Sequence, residues 1–238
     1  MSQAASRPSA SERRGALKEL LMQARECTRC SELAATRKTV VFGAGNADAD
    51  LMFIGEAPGA SEDEQGLPFV GRAGKLLDQL LEEIELERRD VFVANVLNCR
   101  PPGNRDPLPI EIENCQYYTM RQVELIEPSV ICSLGNFSTK LLRGDPTGIT
   151  RLHGQPEVIT LGTRNVRLYP IYHPAAALYT PRMLATLRED FARLPELLAL
   201  GPPEQPQPVE LPEPEVTAEP MRAPETRDEP SLDQLGLF

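Results

Sequence analysis

Four of the five cysteines are spaced so that they could ligate a metal. Cys27 and Cys30 form a Cys-x2-Cys pair, and Cys99 and Cys115 follow later in the chain. Four thiolates suit either a zinc ion or an iron–sulfur cluster, and ordinary burial of reduced thiols is the third possibility. Cys132 lies inside an apolar run, which predicts a small buried side chain rather than a ligand.

Three further side chains that could bind a ligand or take part in catalysis lie at the ends of short apolar runs. They are Glu56, Asn95 and His173. A carboxylate can position water, an amide offers a donor beside an acceptor, and a neutral imidazole can donate to an oxygen that gains negative charge. Each residue also has a structural interpretation: a solvated turn residue, a strand cap and a packed histidine.

Two loops could complete a ligand pocket beside these side chains. Residues 55–59 (GEAPG) form a Gly- and Pro-rich turn in which backbone N–H groups, including that of Ala57, can face a ligand. Phe69 lies in a second loop and could stack on a flat ring. A single loop phenylalanine is more often part of the core, so both interpretations of Phe69 remain open.

Apolar runs alternate with helical periodicity along most of the chain, and this alternation predicts a parallel sheet covered by helices. A capping box at Ser9 and Glu12 precedes the first helix. We therefore predict an α/β fold with three α/β/α layers and a central, mostly parallel four-stranded sheet. Ligands of such folds bind at the carboxyl ends of the strands. The predicted strands are residues 50–54, 90–95, 129–134 and 167–171, and the predicted helices are about 11–26, 71–84, 109–126, 136–142 and 181–200.

The charge distribution is uneven. The formal net charge is −10, of which residues 201–238 contribute −7 through nine acidic residues and two arginines. Local basic patches, rather than the total, govern phosphate binding, so the charge neither supports nor excludes a nucleic-acid partner. The sequence has neither an apolar stretch near the ~20 residues of a membrane span nor a signal-peptide pattern. We expect a cytoplasmic monomer with reduced cysteines.

Composition divides the chain into four segments. Residues 1–10 are polar and are expected to be disordered, and residues 11–200 form one domain. Residues 201–230 are rich in Pro and Glu and predict an extended, solvated linker. Residues 231–238 predict a short binding peptide, because the last five of them are apolar again.

A set of short motifs occurs in a fixed order along residues 27–197. They are residues 27–30 (CTRC), 41–46 (VFGAGN), 55–59 (GEAPG), 66–74 (GLPFVGRAG), 95–105 (NVLNCRPPGNR), Cys115 and 173–175 (HPA). Taken together and in this order, these motifs resemble those of family four of the uracil-DNA glycosylases. Ala175 stands where relatives often have Ser. No basic insertion follows Cys99, so the sequence does not resemble the related group that binds uracil covalently.

The resemblance implies a cofactor and a set of site residues. It implies that Cys27, Cys30, Cys99 and Cys115 hold a [4Fe-4S] cluster and that this cluster has a structural role. It implies hydrolysis of the bond between uracil and deoxyribose in DNA, with a uracil-DNA glycosylase-like fold. The implied catalytic residues are Glu56 and His173, and the implied uracil contacts are Gly55, Glu56, Ala57, Phe69 (stacking), Asn95 (base edge) and His173 (oxygen).

The amide of Asn95 suits this role, since its donor and acceptor complement O4 and N3–H of uracil, whereas cytosine presents the opposite pattern. Uracil in a duplex must be flipped out before it can be cut, which requires contacts to the DNA around it. The loop from His173 onward is expected to enter the groove, with Leu178 as the candidate wedge. The candidate phosphate contacts are Arg72, Lys75, Arg100, Arg105 and Arg182.

The last five residues resemble the short peptides that dock on the bacterial sliding clamp. In an extended peptide, Leu235, Leu237 and Phe238 would fill an apolar groove and Gln234 would fix the register. The acidic segment before them would act as a tether. The competing hypothesis for the whole chain is a non-catalytic DNA-binding or clamp adaptor that carries a four-cysteine zinc site.

Overall fold

A computed structural model describes residues 8–206 of the chain. Their centre is a sheet with the strand order β1-β3-β2-β4-β6-β5. The four inner strands, β3, β2, β4 and β6, are parallel to one another, whereas β1 and β5 pair with the edges in antiparallel orientation. The strands are β1 (Ala44–Gly45), β2 (Leu51–Gly55), β3 (Phe92–Asn95), β4 (Val130–Leu134), β5 (Glu157–Leu161) and β6 (Arg164–Ile171).

The predicted α/β fold with a mostly parallel sheet is confirmed, but the count of four strands is wrong because two edge strands were missed. The strand β1 has only two residues, too few for a recognisable pattern. The strand β5 alternates half-buried and exposed side chains, and it lacks the continuous apolar run that marks a strand covered on both faces. Edge strands of this kind carry a weak hydrophobic signal.

Alternate residues of the inner strands face two separate hydrophobic layers. In β2, Met52 and Ile54 pack in a cluster with α1, α5 and α6. Leu51 and Phe53 pack on the other face with α4, α9 and α10. The period of two along a strand therefore produces three layers, helix on sheet on helix. The helices are α1 (Ala10–Arg25), α2 (Ser31–Thr36), α3 (Ala60–Gln65), α4 (Arg72–Glu82), α5 (Pro109–Ile126), α6 (Asn136–Arg143), α7 (Ile149–Leu152), α8 (Pro174–Ala177), α9 (Pro181–Ala192) and α10 (Leu194–Ala199).

Local sequence signals explain where several helices begin and end. The predicted capping box is present: Glu12 N–H donates to the Ser9 side chain, and the Glu12 carboxylate accepts from Ser9 N–H at 2.8 Å. The single helix predicted for 181–200 is divided at Arg193 into α9 and α10. Pro195 lies in the first turn of α10, where its missing N–H is tolerated, whereas it would break a continuous helix.

Residues 201–206 remain in contact with the domain beyond the predicted boundary at 200. Arg167 donates to the carbonyl of Gly201 at 3.0 Å, and the side chain of Gln205 donates to the carbonyl of Asn165 at 3.0 Å. Within the described part of the chain, no helix combines the length and the apolar character that crossing a bilayer requires.

Candidate functional site

The three polar residues at the strand ends line one cavity. Glu56 follows β2, Asn95 ends β3 and His173 follows β6, and parallel pairing brings these ends to the same edge of the sheet. The cavity has a volume of about 230 Å³. Phe69 and Ala57 line it too. The sheet topology thus brings together side chains that lie up to 117 positions apart in sequence.

Gly55 packs closely against two of the side chains that line the cavity, those of Asn95 and Phe69. A Cβ atom at this position would lie 2.4 Å from Oδ1 of Asn95 and 2.7 Å from Cζ of Phe69, so only glycine fits. Asn95 is 2% exposed, and its Oδ1 is buried with no hydrogen-bond partner among the described residues. A buried acceptor without a partner is costly, which favours a ligand donor at this point.

Phe69 is held in a conformation that its sequence alone does not favour. Its φ of 53° lies in the left-handed region, which is unusual for a bulky residue and costs about 1–3 kcal/mol. Arg88 donates to the carbonyl oxygens of Pro68 (3.1 Å) and Phe69 (2.6 Å). Glu62 accepts from the N–H of Val70 (3.0 Å) and Gly71 (2.8 Å). These bonds fix the strained loop from both sides.

His173 is the N-cap of α8, and this position determines its tautomer. Its Nδ1 accepts a hydrogen bond from the N–H of Ala175 at 3.1 Å, so the neutral ring carries its proton on Nε2. Burial lowers the pKa of His173 to about 4, and the Glu62 carboxylate opposes only part of that shift. The imidazole is therefore neutral at physiological pH and can donate through Nε2. Its ring stacks on Phe69, with centroids 5.5 Å apart.

Glu56 is half-buried at the mouth of the cavity. Its backbone carbonyl accepts from the N–H of Leu97 at 3.0 Å, which extends the pairing of β2 with β3 beyond the ends of the strands. Burial, reinforced by the negative charge of Asp106, raises the pKa of the Glu56 carboxyl above its usual range. The carboxyl is thus a candidate base or water-positioning group in a partly dry site.

The four cysteines with ligand spacing line a second, smaller cavity of about 20 Å³. Within residues 8–206, no group of three or more His, Cys, Asp or Glu side chains is arranged so that it could hold a single metal ion. Three of the four sulfurs nevertheless accept hydrogen bonds. The donors are Arg37 to Cys99 (3.2 Å), the N–H of Asn98 to Cys115 (3.3 Å) and Asn114 to Cys30 (3.7 Å).

Burial dominates the behaviour of these thiols. It raises the pKa of Cys30 and Cys99, and it raises the pKa of Cys115 to about 12. Cys132 is 0% exposed inside β4, away from this cavity, and burial raises its pKa well above the usual thiol value. The position of Cys132 matches the small buried side chain that the sequence indicated.

The candidate DNA contacts differ in how free their side chains are. Arg105 donates to both carboxylate oxygens of Glu111 at 2.9 and 2.6 Å and to Glu32 at 2.8 Å. These ion pairs fasten the loop after Cys99 to α2 and α5, and they favour a bracing role for Arg105 over a phosphate contact. Arg100 likewise donates to Asn104 at 2.7 Å. Lys75 and Arg182 have exposed side chains. Arg72 is exposed too, but it donates to the hydroxyl of Tyr179 at 2.9 Å.

Leu178, the candidate wedge, is half-buried against the core cluster of α4 and α9. The next residue, Tyr179, is 75% exposed and was not predicted from the sequence as a site residue.

Glu62 was not predicted as a site residue either, although its carboxylate anchors the Phe69 loop. A carboxylate nine residues before the glycine it holds gives no local signal, so only the folded chain identifies it. Gln234, Leu235, Leu237 and Phe238 lie outside the described residues.

These features define a protein of the parallel α/β class with a polar cavity at the carboxyl edge of its sheet. The profile described as the uracil DNA glycosylase superfamily matches residues 42–196. Similar proteins include the type-4 uracil-DNA glycosylase of Archaeoglobus fulgidus, 42% identical over 185 residues, which are 76% of this chain and 92% of the relative. The corresponding protein of Sulfurisphaera tokodaii is 46% identical over 176 residues, which are 72% of this chain and 80% of the relative.

A third relative, the type-4 uracil-DNA glycosylase of Thermotoga maritima, is 43% identical over 152 residues, which are 63% of this chain and 77% of the relative. The chain therefore belongs to the type-4 uracil-DNA glycosylases within that superfamily. The family resemblance drawn from the motifs is confirmed at this level.

Proposed function

We propose that this protein hydrolyses the N-glycosidic bond of uracil in DNA and leaves an abasic site. The observation that carries the proposal is the convergence of Glu56, Phe69, Asn95 and His173 on one cavity. The names of the relatives support it. Release of free uracil from a labelled oligonucleotide is the test. Binding of the same DNA without uracil release would instead support the non-catalytic adaptor.

Recognition in this proposal combines a ring contact with an edge contact. Uracil is unreachable inside a duplex, so the nucleotide is flipped out at a cost of a few kcal/mol. Phe69 then stacks on the base, and the backbone of Gly55, Glu56 and Ala57 forms the rest of the slot. The unpartnered Oδ1 of Asn95 accepts from N3–H of uracil while the amide NH2 donates to O4.

The substitution Asn95→Asp tests this edge contact. A carboxylate repels O4 of uracil and accepts from the amino group of cytosine, so excision of uracil should fall by about 10- to 100-fold and cytosine excision should appear. Single-turnover rates on matched uracil and cytosine oligonucleotides measure both changes. A variant that loses uracil excision and gains none on cytosine would show that Asn95 does not set the choice of base.

Bond cleavage in this proposal depends on charge placement. As the bond to uracil lengthens, the sugar gains positive charge and the base becomes an anion. The Nε2–H of His173 donates to a uracil oxygen and stabilises the anion without giving up its proton. The Glu56 carboxylate positions the attacking water or offsets the positive charge of the sugar. Water attacks the sugar carbon, and its proton passes to solvent or to Glu56.

The rate of excision is expected to depend on the protonation of Glu56. The carboxylate is the active form, and its pKa is raised, so activity should fall as the pH drops through a value above that of an ordinary glutamate. His173, with a pKa of about 4, stays neutral in that range. Single-turnover rates measured across pH follow this fall in activity. Glu56→Gln should lower the rate at neutral pH and abolish the fall at low pH. An unchanged fall at low pH in Glu56→Gln would contradict the role of Glu56.

We propose that Cys27, Cys30, Cys99 and Cys115 hold a [4Fe-4S] cluster. The lining of one cavity by four thiols supports this, as do the N–H donors to three sulfurs, which are typical of cluster ligands. A bound cluster would cross-link the segment before α2, the loop after β3 and the helix α5. Its contribution is structural, because base removal needs no electron transfer.

The cluster proposal is tested by replacing one ligand and one matched non-ligand. Cys115→Ala should abolish visible cluster absorption and the binding of iron and sulfide, and it should lower the unfolding midpoint. Cys132→Ala removes a fully buried thiol and should keep the cluster, although it leaves a small cavity. Equal iron and sulfide contents in the two variants, or zinc in place of iron, would contradict the assignment.

The wider interface with DNA follows from the exposed residues around the cavity. We propose Arg72 and Arg182 as phosphate contacts and treat Arg105 as a brace for the pocket loop, with Leu178 in the loop that approaches the groove. Removing one phosphate contact should reduce the slope of log K for DNA binding against log salt concentration by about one.

We also propose that residues 234–238 dock on the sliding clamp, with residues 207–230 as a tether. Deletion of residues 234–238 should abolish clamp binding.

A further inference from the structure

Arg37 is the one cation among the described residues that donates a hydrogen bond to a cysteine sulfur. Its Nη1 donates to Sγ of Cys99 at 3.2 Å. The backbone N–H and the side-chain amide that donate to two of the other sulfurs, at 3.3 and 3.7 Å, are uncharged. A hydrogen bond with a charged partner is roughly twice as strong as a neutral one. The bond from Arg37 therefore has the largest electrostatic effect on these sulfurs.

The guanidinium of Arg37 is also held by a second segment. Its Nη2 donates to the carbonyl of Arg25, in the last turn of α1, at 3.2 Å. Arg37 itself follows the last residue of α2, and its backbone N–H donates to the carbonyl of Leu33 at 3.0 Å. A guanidinium is planar and presents its donors in a rigid fork, so two bonds to different segments determine where its charge lies. The cation is therefore fixed beside the sulfur of Cys99.

The surroundings of these sulfurs strengthen the effect of a charge. Leu33 and Leu97 line the cavity together with the four cysteines. The side chains of both leucines are buried. Electrostatic interactions are stronger where apolar side chains exclude water and lower the dielectric constant. A positive charge beside Cys99 therefore changes the energy of any negative charge that this site gains or loses.

We propose that Arg37 sets the reduction potential of the [4Fe-4S] cluster through its hydrogen bond to Cys99. The inference rests on the proposed cluster and assigns a residue that tunes it. A cluster that gains one electron places part of the added negative charge on its thiolate sulfurs, so the Arg37 cation stabilises the reduced form more than the oxidised form. Hydrogen bonds to the sulfurs and nearby charges are among the factors that set the potential of such clusters. Arg37 therefore raises the potential and makes the cluster harder to oxidise.

The same bond is expected to protect the cluster from dioxygen. Oxidation removes one electron from the cluster, and dioxygen accepts this electron and becomes superoxide. The oxidised cluster carries one more positive charge, which the neighbouring guanidinium of Arg37 disfavours. We therefore expect the protein to lose its cluster in air more slowly when Arg37 is present than when a neutral residue replaces it.

The test measures the midpoint potential of the purified, cluster-loaded protein by protein-film voltammetry, with iron and sulfide contents determined for each sample. Arg37→Gln removes the charge and should raise the ratio of oxidised to reduced cluster at a given potential about tenfold, which is a fall in midpoint of about 59 mV for one electron. Arg37→Lys keeps a charge but loses the fork, so it should give a smaller fall. The visible absorbance of the cluster should decay faster in air in Arg37→Gln than in the wild type.

Arg29→Gln is the matched control for the loss of a charge. Arg29 lines the same cavity, but it donates to the carbonyl of Asn114 at 3.2 Å, and its guanidinium carbon lies 5.4 Å from the ring centroid of Tyr117. Its replacement removes no hydrogen bond to a sulfur. The midpoint potential should therefore change much less in Arg29→Gln than in Arg37→Gln.

An unchanged or higher potential in Arg37→Gln, or an equal fall in Arg29→Gln, would overturn the inference. If Arg37→Gln retains no cluster, Arg37→Lys decides, and a wild-type potential in that variant would overturn the inference as well. A wild type that holds zinc, or neither iron nor sulfide, would defeat the cluster proposal itself. A loaded wild type whose potential does not depend on Arg37 would defeat this inference alone. None of these measurements requires uracil release, so they do not depend on the proposed catalysis.

Discussion

Replacing His173 with alanine is expected to lower the single-turnover rate of uracil release by about 10²- to 10³-fold, as loss of one preorganised donor to a developing oxyanion does elsewhere. The donor here is the Nε2–H, fixed by the bond from Ala175 to Nδ1. Its pKa of about 4 keeps the ring neutral, so it stabilises the uracil anion as a hydrogen-bond donor. Rapid-quench measurement with enzyme in excess isolates this step from product release.

The control for His173→Ala is His153→Gln, which removes the only other histidine in the chain. His153 lines a different cavity, with its Nδ1 3.5 Å from Asp190, and its replacement should leave the rate close to that of the wild type. Thermal unfolding should show that His173→Ala remains folded. A wild-type rate in His173→Ala would exclude the histidine from catalysis.

The second large effect is expected from Gly74→Ala, although alanine is usually the better helix residue. A Cβ at position 74 would lie 1.7 Å from the carbonyl oxygen of Phe69, a backbone atom that no rotamer change can move. The first turn of α4 and the Phe69 loop must therefore separate. We expect a loss of about 1–3 kcal/mol in the free energy of unfolding and a large fall in uracil excision, because Phe69 leaves the slot.

Gly15→Ala is the matched control for this helical glycine. Gly15 lies within α1, and a Cβ there would meet no atom within 4 Å. The substitution should raise the free energy of unfolding by about 0.5–1 kcal/mol through helix propensity alone. Urea denaturation of both variants gives the comparison. If Gly74→Ala were as stable and active as Gly15→Ala, the close approach of α4 to Phe69 would not be needed for the site.

The inner strands of the sheet could be predicted from the sequence because the apolar pattern that marks them is local. Strands covered on two faces are continuous apolar runs, and β2 and β4 match the predicted runs to within one residue. The two edge strands and the division of α9 from α10 were missed. An edge strand is half solvated, and a helix break at proline depends on how the next turn packs, so neither produces a strong pattern.

Part of the site could be predicted because its polar side chains follow strands that the sequence identifies. Parallel topology implies that the ends of β2, β3 and β6 meet, which gathers Glu56, Asn95 and His173. Their chemical roles, and those of the cysteines, stay predictions from motif resemblance and residue chemistry. The ion pairs of Arg105 with Glu111 and Glu32 could not be predicted, since a free arginine and a paired arginine have the same local sequence context.

The sequence by itself determined the parallel α/β class, the candidate polar side chains at the strand ends and the four spaced cysteines. These depend on hydrophobic period, turn chemistry and residue type, which act over a few neighbouring residues. Only the tertiary structure decided the strained conformation of Phe69, the pairing of Arg105 with Glu32 and the pairing of Arg72 with Tyr179. Each arises from contacts between segments far apart in the chain, and their energies exist only once the chain has folded.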